Sequence, residues 1–72
     1  MTGEATWQIA CVYALCSPGQ ADFRRKGIRF LARAVQRGYG GTLLVSDPDI
    51  AELRSTPDFQ TILQMYHLLA DK

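Results

Sequence analysis

The residues that most often carry chemistry are scarce in this chain. Its 72 residues include two cysteines, one histidine and one tryptophan. A single histidine, His67, and two cysteines, Cys11 and Cys16, fall short of the four ligands of a structural zinc site, and their spacing is not a zinc spacing. On a helix, residues at that interval lie on different faces, because each residue turns about 100°, which disfavours a disulfide. Any nucleophile–histidine arrangement would rest on His67 alone, with a cysteine to attack and a third group to orient the ring. The glycines Gly38, Gly40 and Gly41 follow a helical pattern, not a strand, and no Lys-Ser/Thr pair comes after them. A phosphate loop needs both. No catalytic residue, no metal site and no cofactor is expected, and the chain does not read as an enzyme.

A long apolar run is also lacking. The longest, from Ile9 to Cys16, is far short of the roughly 20 residues a bilayer span needs. No basic residue precedes it, as a secretory leader would require. The two cysteines read as small buried apolar residues, which suits a reducing compartment. The expectation is a soluble, cytoplasmic protein. Seventy-two residues allow one domain, 1–72. A core of that size rarely supplies more than roughly 3–5 kcal/mol. Without a disulfide or metal staple, regular helix packing or a partner must make up the difference.

What is present is helical patterning. Residues 5–16 are alanine-rich, favouring helix over strand, and carry Trp7, Ile9, Val12, Tyr13 and Leu15. From Ile9 to Cys16 this segment is apolar almost all round, so it needs cover on more than one side. Ser17-Pro18-Gly19 stops it. Residues 21–37 repeat Phe23, Gly27, Phe30, Leu31, Ala34 and Val35 at helical spacing, within about 80° of Gly27 on a wheel. Gly38 is placed to cap that helix. Leu43, Leu44 and Val45 form an apolar plug, either one helical turn or extended. Asp47-Pro48-Asp49 and Thr56-Pro57-Asp58 share one helix-start design, a capping side chain followed by proline at the first helical position. They predict a short helix over 49–54 and a closing helix over 58–70, with Phe59, Ile62, Leu63, Tyr66, Leu69 and Ala70 on its apolar face. The fold class is all-α: an antiparallel helix pair, a short helix and a closing helix.

Net charge is only +1, but the charges are segregated. Up to Arg37 the balance is six basic residues against two acidic, or +4; beyond it, two basic against five acidic, or −3. Opposed halves can attract within the fold, or one can meet a partner. Arg25, Lys26, Arg29, Arg33 and Arg37 fall opposite the apolar face of the second helix. The plainest reading is a solvated face pairing in part with the acidic last third. A sharper one is a docking face for an acidic partner, with Arg25, Arg29, Arg33 and Arg37 as its contacts. Nucleic acid comes last, because such domains usually carry a strong net positive charge. The next predicted helix, from Asp49, is also acidic at its start, which would repel phosphates.

Three strings follow one another along the chain: Ala10-Cys11-Val12-Tyr13-Ala14-Leu15, then Ala34-Val35-x-x-Gly38-Tyr39, then Asp47-Pro48-Asp49-Ile50-x-x-Leu53-Arg54-x-x-Pro57-Asp58-Phe59. Over residues 7–69 they resemble the last repeat and capping segment of bacterial tetratricopeptide-repeat proteins. In that family's pattern, W-x2-L-G-x2-Y then A-x3-F then P, Trp7 takes the first position. Ala10 and Cys11 stand for Leu-Gly, Ala14 for Tyr, and Gly27-x3-Leu31 for A-x3-F. The sequence departs from the pattern in a longer first turn and in Gly38-Tyr39 replacing the final proline. The resemblance implies a TPR-like helical module that binds proteins, often as part of a signalling or scaffold protein, and no chemistry. It assigns Gln8, Ile9, Val12, Leu15 and Cys16 to the lining of an apolar groove for a peptide or partner helix. Arrays usually need about three repeats, so it also implies self-association as a homo-oligomer or missing upstream repeats.

Overall fold

The computed structural model describes residues 2–70, with side chains described as far as Leu68. The expected apolar positions Leu69 and Ala70 and the charges Asp71 and Lys72 therefore fall outside the described side chains. Every regular element among the described residues is helical: α1 (Gly3–Leu15), α2 (Ala21–Gln36), α3 (Leu43–Ser46), a 3-10 turn (Pro48–Ile50), α4 (Ala51–Arg54) and α5 (Pro57–Ala70). The all-α expectation holds, and the apolar plug at Leu43 is a single helical turn. The expected helix over 49–54 is a 3-10 turn that passes directly into α4.

Each boundary has a local cause. At the start of α1, Thr2 Oγ1 accepts from the Ala5 amide at 3.0 Å, and Glu4 lies in the first turn, where a negative charge suits the helix dipole. Beyond Leu15 the buried Ser17 hydroxyl donates to the Ala14 carbonyl at 2.8 Å and turns the chain. At the end of α2 the Tyr39 amide donates to the Ala34 carbonyl and the Gly38 amide to the Val35 carbonyl. These are the two hydrogen bonds of a Schellman motif. That motif needs a left-handed residue, and Gly38 supplies it with φ +83°. At the other two starts, Asp47 accepts from the Asp49 amide and Thr56 Oγ1 from the Phe59 amide.

The short Cys16–Gln20 connection folds α2 back along α1. Antiparallel pairing brings Gly3 against Tyr39 at one end and Tyr13 against Gly27 at the other. Small residues set the spacing: Ala10, Ala14 and Ala34 have no exposed surface. A Cβ on Gly27 would sit 3.3 Å from both Leu53 methyls and from Tyr13 Cβ. Leu31 and Val35 of α2 share one buried cluster with Leu44, Ile50, Leu53, Phe59 and Ile62, so the C-terminal elements close over the inner face of the hairpin. The 3-10 turn and α4 pack on α1, and α5 packs on α2.

Two burial expectations fail. Phe23, placed on the apolar face of α2, is 38% exposed. Cys11 is buried, but Cys16 is exposed. The buried residues of α1 are Thr6, Trp7, Ala10, Cys11 and Ala14; position 16 falls outside that stripe and continues the opposite side of the helix.

The close approach at Gly27 should make it intolerant of bulk. Gly27→Val should lower the unfolding free energy by about 1–3 kcal/mol through overpacking, read as a drop in the urea midpoint. The same change at exposed Gln36 should stay within about 0.5 kcal/mol.

Candidate interaction surfaces

The outward side of α1 is decided by a polar joint on its inward side. Trp7 is 3% exposed, and its indole N–H donates to Asp47 Oδ2 at 2.9 Å. The other oxygen, Oδ1, accepts from the Asp49 amide at 2.9 Å. The Cys11 thiol donates a longer bond to Oδ2 at 3.8 Å. Arg54 fixes the same segment from behind: its Nε donates to the Leu44 carbonyl at 2.8 Å and its Nη2 to the Asp47 carbonyl. Partial burial alone would raise the Asp47 pKa. The Trp7 and Asp49 N–H donors, helped by the Cys11 thiol and the Arg54 charge, outweigh burial and hold the carboxyl below its ordinary value. Burial, reinforced by the Asp47 and Asp49 charges, pushes the Cys11 thiol up to about 11.

Cys11, Asp47 and Asp49 thus hold ligand-type atoms within 4.8 Å of one another. Both Asp47 oxygens already accept hydrogen bonds, and the thiol is protonated at neutral pH, so the trio works as a hydrogen-bonded joint between α1 and the 3-10 turn. Asp47 reads from sequence as a cap alone. Its second partner was signalled only by the general need of a buried indole N–H for an acceptor.

With Trp7, Ala10, Cys11 and Ala14 turned in, the residues expected to line a groove come together on the far side of α1. Val12 is 60% exposed and Leu15 62%, Gln8 and Cys16 are exposed, and Ile9 is half-buried. They follow helical spacing i, i+1, i+4, i+7 and i+8, one continuous stripe. The stripe is a ridge on a single helix; among the described residues no pocket opens beside it.

The second candidate face lies on α2. Arg25, Lys26, Arg29, Arg33 and Arg37 are all exposed. Two of these cations rest on aromatic rings that rim the hairpin: Arg33 lies 5.4 Å from the Phe30 centroid and Lys26 5.9 Å from that of Tyr13. Tyr13 and Phe30 are themselves stacked at 5.7 Å. Among the described residues no pairing with the acidic last third is made: the one ion pair is Arg25–Asp22, within α2 itself. The cause is placement. Leu53 of α4 packs beside Gly27 on the inner face of α2, and the arginines occupy the outer face. Trp7, expected as packing, packs edge-on to Tyr39 at 5.8 Å. His67 is exposed on α5, edge-on to Tyr66 at 6.0 Å.

Compared with models of protein families, with curated proteins and with solved structures, the chain matches none.

Two outcomes follow from the joint. At mildly alkaline pH a maleimide should modify exposed Cys16 rapidly and buried Cys11 slowly, since the latter is a poor thiolate source; mass spectrometry of timed samples checks this. The Asp47 carboxyl is held below its unfolded value, about 3.9. Its stabilisation is therefore complete above that value and lost as pH falls through the lower folded value. Asp47→Asn should cost about 1–2 kcal/mol near neutrality, from a weakened cap and indole bond, and the gap to wild type should close in acid.

Proposed function

We propose that the chain is a protein–protein interaction module that docks an apolar helix face of a protein partner, a second copy or a preceding repeat, on the outer side of α1. The observation that carries this reading is the exposure of Val12 and Leu15 on a helix whose other side is fully packed. Covering one such side chain is worth about 1.5–3 kcal/mol, a large amount beside the small core of a domain this short. The resemblance to a terminal tetratricopeptide repeat supports the same reading, because the corresponding helix in an array meets both its own hairpin partner and the preceding repeat. In this view the chain is a cytoplasmic scaffold part and not an enzyme. It needs no cofactor, and nucleic acid is not its partner.

Sedimentation velocity across concentration, with Cys16 labelling in parallel, tests the proposal. The expected result is association that persists in high salt, with Cys16 protected as it forms. Val12→Asp or Leu15→Asp should abolish both effects while far-UV circular dichroism retains the helix signal. A chain that stays monomeric, with Cys16 equally reactive at every concentration, would overturn docking between copies.

A further inference from the structure

The chain carries two unmet charged faces of opposite sign. On one, Arg25, Arg29, Arg33 and Arg37 recur every four residues along α2. At about 1.5 Å rise per residue this sets a charge roughly every 6 Å along the axis, slanting round the helix as a ridge. Among the described residues Arg25 alone has an acidic partner, Asp22, in its own helix. The opposite charge lies along the 3-10 turn, α4 and the start of α5, where Asp49, Glu52 and Asp58 are each exposed. Residues 38–70 contain a single arginine or lysine, Arg54. Its Nε and Nη2 donate to the Leu44 and Asp47 carbonyls. The exposed carboxylates outnumber that one cation, so the segment stays net negative, and no ion pair among the described residues joins it to the arginine ridge.

We infer that the arginine ridge of α2 is a docking surface for the acidic Asp49–Glu52–Asp58 face of a second copy of this chain. Charge complementarity identifies the occupant: each copy presents both halves of the contact, and among the described residues no ion pair joins the two. Because the two halves are different surfaces, the contact is head-to-tail and leaves a free ridge at one end and a free acidic face at the other. Exposed ion pairs gain little individually, so the association is weak, quickly formed by electrostatic steering, and erased by salt. It uses neither Val12 nor Leu15, and it stands or falls apart from docking on α1.

The test is weight-average mass by sedimentation equilibrium, in wild type and in a Val12→Ser/Leu15→Ser background that removes the apolar stripe. In both, mass should rise with concentration at low salt, and the rise in the Ser background should vanish at high salt. Arg29→Glu/Arg33→Glu should be monomeric in that background, and so should Glu52→Lys/Asp58→Lys. Mixing the two reversed proteins should restore association, since each supplies the face the other has lost; circular dichroism of each confirms that it is folded. Association unchanged by either reversal, or a mixture that stays monomeric, would overturn the inference. So would a low-salt monomer that binds a single-stranded oligonucleotide through Arg29 and Arg33, which would assign the ridge to a polyphosphate.

Discussion

The hydrogen bond between the Trp7 indole and the Asp47 carboxylate fixes the rotation of α1, and the two faces of that helix follow from it. α1 is apolar on nearly every side, so the hydrophobic effect, which is non-directional, gives little guidance as to which side should turn in. A buried indole N–H must find an acceptor. Asp47 offers one, while its second oxygen caps the 3-10 turn. Arg54 holds the Asp47 and Leu44 carbonyls and so keeps the acceptor in place. α1 is thereby locked to a segment 40 residues further along the chain, and Val12 and Leu15 are left in solvent as the remainder.

This explains what could be read from the sequence. Helix starts and stops were legible because their causes are local: the Asp47 and Thr56 caps, Gly38 at the end of α2, and the Ser17-Pro18-Gly19 break all act within a few residues. The amphipathic α2 was legible for the same reason. The inward side of α1 was not, since no polar stripe marks its outward side, and the burial expected for Cys16 failed on that account. Charge segregation was plain in the composition, but its lack of internal pairing was not. That depends on α4 and α5 closing over the inner face of α2, a tertiary fact with no local signature. The groove residues were placed by family resemblance, and the exposure of Gln8, Val12, Leu15 and Cys16 depends on the same Trp7–Asp47 bond.

Two surfaces of different physics stand side by side on one small hairpin. The α1 stripe is short-ranged, depends on shape and is indifferent to salt. The α2 ridge acts over about a Debye length and asks little of shape. Any association through the first would persist in salt and any through the second would not, so ionic strength separates the two proposals.

Trp7 is also the one indole in the chain, and it sits where several constraints meet. Its N–H is on a carboxylate, its ring is edge-on to Tyr39, and its Cζ3 is so near Gly40 that a Cβ there would lie 3.1 Å away. Gly40, at φ +130°, belongs to the loop that leads into α3. The protein thus carries its own optical gauge at the joint. Loosening of α1, of the glycine loop or of the Asp47 cap would each wet the same fluorophore, so intrinsic emission reports the seating of the whole hairpin on its closing segment without any added label.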